Sequence, residues 1–163
     1  MFGKKKRKAK ELIMTAYEQE QSGMMNQAIS LYKEALRYDS SNTTALFNLG
    51  SILFNNGNHY EGIDFISKSA DLGFEVARQN MHDKGADAFY NQALDLFQCG
   101  DYLNALQKID KAIKYRNNFA EAHYNKAGIL FKLSQKSKAI EQLKIAASLG
   151  LNKAMFELTD YGY

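Results

Sequence analysis

An ungapped internal duplication narrows the fold of this chain more than any other feature. Residues Gln27 to Tyr38, moved 77 places along, fall on Asn104 to Tyr115. The same shift carries Ile52-Leu53-Phe54 onto Ile129-Leu130-Phe131, and Asp71-Leu72-Gly73 onto Ser148-Leu149-Gly150. Repeated helical units cannot bury their apolar faces alone. They stack on their neighbours, and the usual product is a binding surface rather than a catalytic pocket.

Composition sets the outer bounds. With 163 residues and 45% apolar content the chain can bury a core and is not disordered, and no apolar run approaches membrane-spanning length. The single cysteine, Cys99, cannot form an internal disulfide, which suits a reducing compartment. The net charge of +3 conceals an asymmetry, because Lys4, Lys5, Lys6, Arg7, Lys8 and Lys10 hold 6 of the 21 basic groups. The remainder carries 15 basic against 18 acidic groups. The sequence therefore predicts a basic, mobile tail over residues 1–10 ahead of a slightly acidic domain over 11–163. The tail runs into an amphipathic, acidic stretch, Glu11 to Glu20, instead of the apolar segment an export signal needs. The expected location is the cytoplasm, or the nucleus in a nucleated cell.

A shorter period of 34 residues divides the chain into units 9–42, 43–76, 86–119 and 120–153. Small residues recur at the eighth, twentieth and twenty-seventh positions, as in Ala16, Ala28 and Ala35. The second unit opens Thr43-Thr44-Ala45-Leu46-Phe47-Asn48-Leu49-Gly50 and the fourth Ala120-Glu121-Ala122-His123-Tyr124-Asn125-Lys126-Ala127. This pattern resembles the tetratricopeptide repeat (TPR) family, whose small positions let two antiparallel helices approach closely. Gly23, Gly57 and Gly100 stand where the first helix of a unit should end on a left-handed residue, with Ser134 as a weaker stop in the fourth. The family's late proline is absent, replaced by Ser40, Phe74, Asn117 and Leu151. Turn residues, Asp39-Ser40-Ser41-Asn42 and Arg116-Asn117-Asn118, take over in units one and three. Leu72-Gly73 and Leu149-Gly150 resemble Sel1-like repeats, and unit two departs further with Gly62 and Ser69 at small positions.

The resemblance implies an all-α, right-handed α-solenoid of four TPR-like helix pairs, with short capping helices near 75–82 and 153–159. Segments 77–85 and 154–163 correspond under the 77-residue shift and are expected to cap or link the halves. A break between helices is predicted near His82–Gly85, with one continuous helix over about 75–98 as the alternative.

Catalytic chemistry is lacking. His123 reads as a core or edge residue, while His59 and His82 fall in a turn and in the interruption. No histidine pair has zinc-site spacing, and the glycines are scattered as helix stops instead of forming a phosphate loop. Cys99 beside Gly100 reads as structural. The expectation is a protein that is not an enzyme and holds no metal or cofactor.

By the same resemblance, the first helices line a concave groove. The groove positions are Phe47, Asn48, Ser51 and Phe54 in unit two, and Tyr90, Asn91, Leu94 and Phe97 in unit three. In unit four they are Tyr124, Asn125, Gly128 and Phe131. An asparagine amide both donates and accepts, so this ladder suits an extended peptide or an inserted helix. The same residues also suit packing between neighbouring units. Replacing Asn91 and Asn125 together with alanine is expected to weaken partner binding and leave melting nearly unchanged. The family's two-carboxylate clamp for acidic C-termini does not fit, since Ile13, Tyr17 and Asp87 stand where its polar or basic residues belong, and Asn91 where its arginine does. The function expected is an adaptor or scaffold binding a partner protein or peptide. Three other readings stay open: a dedicated chaperone for a secreted or membrane-inserted protein, self-association through solenoid ends, and contact with anionic membrane or nucleic acid through Lys4, Lys5, Lys6, Arg7 and Lys8.

Overall fold

The computed structural model describes residues 2–162. Among them the chain is all helical: α1 (Phe2–Gln21), α2 (Met25–Tyr38), α3 (Thr43–Asn55), α4 (His59–Asp71) and α5 (Glu75–Asn80), then a π-helical turn (Met81–Gly85). It continues with α6 (Ala86–Gln98), α7 (Tyr102–Tyr115), α8 (Ala120–Lys132), α9 (Lys136–Ser148) and α10 (Asn152–Asp160). Contacts divide the chain into two compact units at Asp83/Lys84, close to the boundary of the duplication.

In the first unit α1 pairs with α2 and α3 with α4, α2 packs on α3, and α5 closes on α4. The second unit repeats the scheme, with α6–α7 and α8–α9 as pairs and α10 closing on α9. Small residues set these pairings. Ala16, Ala28 and Ala35 are fully buried, as are Ala93, Ala105 and Ala112, and Ala127, Ala139 and Ala146. In the α3–α4 pair Gly50, Gly62 and Ser69 take their place. Ser69 is not a defect there, because its hydroxyl donates to the Thr43 carbonyl at 2.8 Å. Around the small contacts lie the larger apolar side chains, Tyr32, Leu49 and Leu53 in the first unit, and Ile109, Ile129, Leu130 and Leu143 in the second.

Helix ends follow the stop residues. Gly23, Gly57 and Gly100 have φ of +76°, +89° and +81°, and Ser134 is the one non-glycine residue with positive φ among those described, at +60°. An L-residue in that conformation costs roughly 1–2 kcal/mol. Ser134→Gly should therefore stabilise the protein by about 1 kcal/mol, read as a rise of roughly 2–4 °C in the melting temperature. At the turn into α3, Asp39 accepts from the Ser41 amide at 3.3 Å and Asn42 accepts from the Ala45 amide at 3.0 Å. These side chains close a turn where the resembled repeat carries a proline.

Two sequence expectations change. Residues 81–85 are not a break, since helical backbone runs without interruption from Glu75 through Gln98 by way of the π turn. Gly85 keeps helical angles, φ −68° and ψ −36°, and fully buried Met81 and Ala86 outweigh the roughly 1 kcal/mol a helical glycine costs. The N-terminal cations, expected in a mobile tail ahead of the domain, are helical. Residues 2–10 belong to α1, and Ala9 is buried at 1% exposure. Lysine and arginine are good helix formers, and Ala9 and Leu12 anchor this end to the body.

Candidate partner-binding face

In the first unit the expected face is largely engaged with its own chain. The Phe47 ring packs against Phe74 with centroids 5.4 Å apart, and Phe54 meets His59 edge-on at 4.8 Å. Ser51 is half-buried on α3. Asn48 donates through Nδ2 to the Tyr32 hydroxyl at 3.0 Å, and that hydroxyl donates to Glu20 Oε2 at 3.0 Å. This chain of bonds ties α3 to α2 and α2 to α1 around a fully buried tyrosine. Burial raises the Tyr32 pKa to about 12; the Asn48 bond opposes the rise, and the Glu20 bond and charge add to it.

The second unit satisfies the duplicated asparagine differently. Asn125 donates to the Tyr90 hydroxyl at 2.7 Å, joining α8 to α6. Under the 77-residue shift Tyr90 corresponds to Ile13, and Tyr32 to Ile109. The two halves have exchanged isoleucine and tyrosine between these positions, and each asparagine still reaches one phenol. Tyr90 also packs against Phe119 at 4.8 Å. Its pKa is raised, chiefly by burial and then by the Glu121 charge, with the Asn125 bond opposing.

Asn91, in contrast, is exposed. The two asparagines of the expected double mutant are thus not equivalent. Asn125→Ala should lower stability by about 1 kcal/mol, because the Tyr90 hydroxyl loses its donor. Asn91→Ala should stay within about 0.5 kcal/mol of the parent. Urea denaturation of the two single variants checks this, and it replaces the expectation that the double substitution leaves melting unchanged.

One set of expected residues does converge. Leu94 and Phe97 of α6 and Tyr124, Asn125 and Gly128 of α8 line a cleft of about 80 Å³. Ile129 and Glu157 complete it, the latter from α10. Phe97 is braced by Tyr102 at 5.5 Å. Tyr124 carries Lys153 Nζ over its ring at 4.2 Å and shares a hydrogen bond with Glu157; burial first, then Glu157, raises its pKa. Phe131 lies outside the cleft, stacked on Tyr161 at 5.3 Å.

Glu157 and Tyr32 were not among the sequence-derived residues. Glu157 sits in the capping segment outside the 34-residue register, and its counterpart under the shift is Asn80, so periodicity gives no pointer to it. Tyr32 lies on a second helix, although its exchange with Ile109 was visible in the duplication.

Elsewhere, His123 is buried as expected, with Nε2 donating to the Asn117 carbonyl at 3.0 Å and Nδ1 lying 2.8 Å from the Gln142 side-chain amide. Cys99 is exposed. Lys4, Lys5, Lys6, Arg7 and Lys8 are all exposed on α1. Among the described residues no group of His, Cys, Asp and Glu is placed to hold a metal ion, and no helix is long and apolar enough to cross a membrane.

Small side chains at fixed offsets, paired helices and left-handed stops together define a tetratricopeptide-type helical repeat protein. Sequence models support this placement: one described as a TPR repeat matches residues 21–57, and one described as a tetratricopeptide repeat matches residues 90–150. The chain thus carries tetratricopeptide repeats in both halves. No curated protein matches it. Solved structures of similar fold include YrrB, described as a TPR protein with an unusual peptide-binding site, at 19% identity over 93% of this chain and 91% of that one, TM-score 0.43. MamA is similar at 22% identity over 83% and 74%, TM-score 0.41. A tetratricopeptide repeat protein from Parabacteroides merdae is similar at 20% identity over 88% and 54%, TM-score 0.40.

Proposed function

We propose that this protein is a non-catalytic interaction module that binds an extended peptide segment of a partner protein on the α6–α8–α10 face. The observation that carries this reading is the cleft beside Asn125. Its lining is largely apolar, Gly128 contributes no side chain, and an amide and a carboxylate, Asn125 and Glu157, also line it. The Asn125 nitrogen is committed to Tyr90, which holds the amide in one orientation and keeps its oxygen as an acceptor for a peptide N–H. Such a bond contributes about 0.5–1.5 kcal/mol, and each peptide side chain buried beside Leu94 or Phe97 about 1.5–3 kcal/mol. Peptide complexes built from a few such contacts are of micromolar class. An array of short random-sequence peptides overlaid with the protein tests the reading: capture of a subset sharing a sequence preference is expected, and an array that captures nothing overturns it.

A further inference from the structure

We propose that the cleft between α6, α8 and α10 takes a lysine side chain of the bound peptide, its aliphatic stem between Leu94, Phe97 and Ile129 and its ammonium on the Glu157 carboxylate. This inference rests on the peptide-binding reading above and specifies its chemistry.

Size comes first. The cleft, of about 80 Å³ and lined mainly by apolar side chains, has room for an unbranched stem. The lining then matches a side chain that is apolar along its length and charged at its tip. Glu157 is half-buried, sharing a hydrogen bond with the Tyr124 hydroxyl. A carboxylate offers about four acceptor sites, so one phenol leaves room for an ammonium.

The ring beside it already tolerates such a group. Lys153 Nζ stands 4.2 Å from the Tyr124 centroid, on the electron-rich face that attracts cations. Lys153 itself supplies one positive charge beside Tyr124, and two other cations of this unit are already paired. Arg116 is held by Asp87 through two bonds of 2.8 and 2.7 Å, and Lys126 by Asp110 at 2.7 Å. An acidic side chain or a peptide C-terminus set against the Glu157 carboxylate would meet repulsion. The chemistry is particular to the second half: under the 77-residue shift Glu157, Gly128 and Phe97 become Asn80, Ser51 and Glu20.

Gly128 supplies a specific test, because a Cβ added there meets nothing within 4 Å. Gly128→Leu should fill the cleft, and replacing a helical glycine should leave the melting temperature no lower. The random-sequence array is overlaid with wild type, G128L and E157Q, and the captured sequences are then remade with norleucine for lysine. Wild type should capture lysine-bearing peptides and bind the norleucine forms about tenfold more weakly, as the loss of a charge-assisted hydrogen bond requires. G128L should capture none of these peptides, and E157Q should no longer distinguish lysine from norleucine. Capture that shows no lysine preference, yet is blocked by G128L, overturns the lysine assignment and leaves peptide binding standing. Undiminished capture by G128L places the site elsewhere and overturns the inference. A wild type that captures nothing removes both readings.

Discussion

Gly62→Ala should destabilise the protein by about 1–3 kcal/mol or more, although alanine is the better helix former by about 1 kcal/mol. A methyl group at Gly62 would lie 2.6 Å from the Phe54 nitrogen, 2.7 Å from the Gly50 carbonyl oxygen and 2.9 Å from the Phe54 Cα. All three atoms are backbone, so no side chain can move aside, and α3 and α4 must separate. Gly50→Ala meets the same wall, with the Gly62 oxygen at 2.7 Å. In the second half the corresponding residues are Ala127 and Ala139, both fully buried. There α8 and α9 pack through methyl groups, so the two pairs cross at different separations. Urea denaturation followed by helical circular dichroism reads the effect, and an unchanged G62A midpoint would show that the two helices can part at no cost.

The second large effect is alkaline. The buried Tyr32 phenol ionises at about 12, against about 10 in an unfolded chain. Between those values the unfolded state binds fewer protons than the folded one, so rising pH favours unfolding. The stabilisation is fully present below pH 10 and is lost as pH rises towards 12, by roughly 2–3 kcal/mol. Tyr90 and Tyr124 are shifted in the same direction and steepen the fall. Tyr32→Phe should flatten the pH dependence while costing about 1–2 kcal/mol at neutral pH, since Asn48 and Glu20 lose their shared partner. Denaturation midpoints of both proteins at stepped pH check the sign. A parent whose stability is level from pH 10 to 12 would contradict a protonated, hydrogen-bonded Tyr32.

Both results concern features for which the repeat pattern alone is a poor guide. Gly62 and Ser69 read as departures from the small-residue rule, yet Gly62 lets α4 approach α3 too closely for a Cβ and Ser69 bonds a carbonyl. Asn48 and Asn125 read as rungs of one ladder for a ligand. In the folded chain each amide is bound to a tyrosine of its own unit, by different routes, and only Asn125 lines the cleft. Sequence spacing assigns a residue to a face. It does not say whether another helix has already taken the hydrogen bond.

What the sequence determined by itself is the architecture within each half: helix pairs in a 34-residue register, their small contact positions and the left-handed stops that end them. These are local or periodic properties, and periodicity survives in one dimension. Tertiary structure alone decided the rest. It replaced the expected break at His82–Gly85 with a π turn, because burial of Met81 and Ala86 outweighs the helix penalty of Gly85. It drew Lys4 to Lys8 into α1 through Ala9, and it brought Glu157 from a capping segment into the lining of the cleft beside Tyr124. Each of these depends on which surfaces meet in space, and no spacing rule along the chain encodes that.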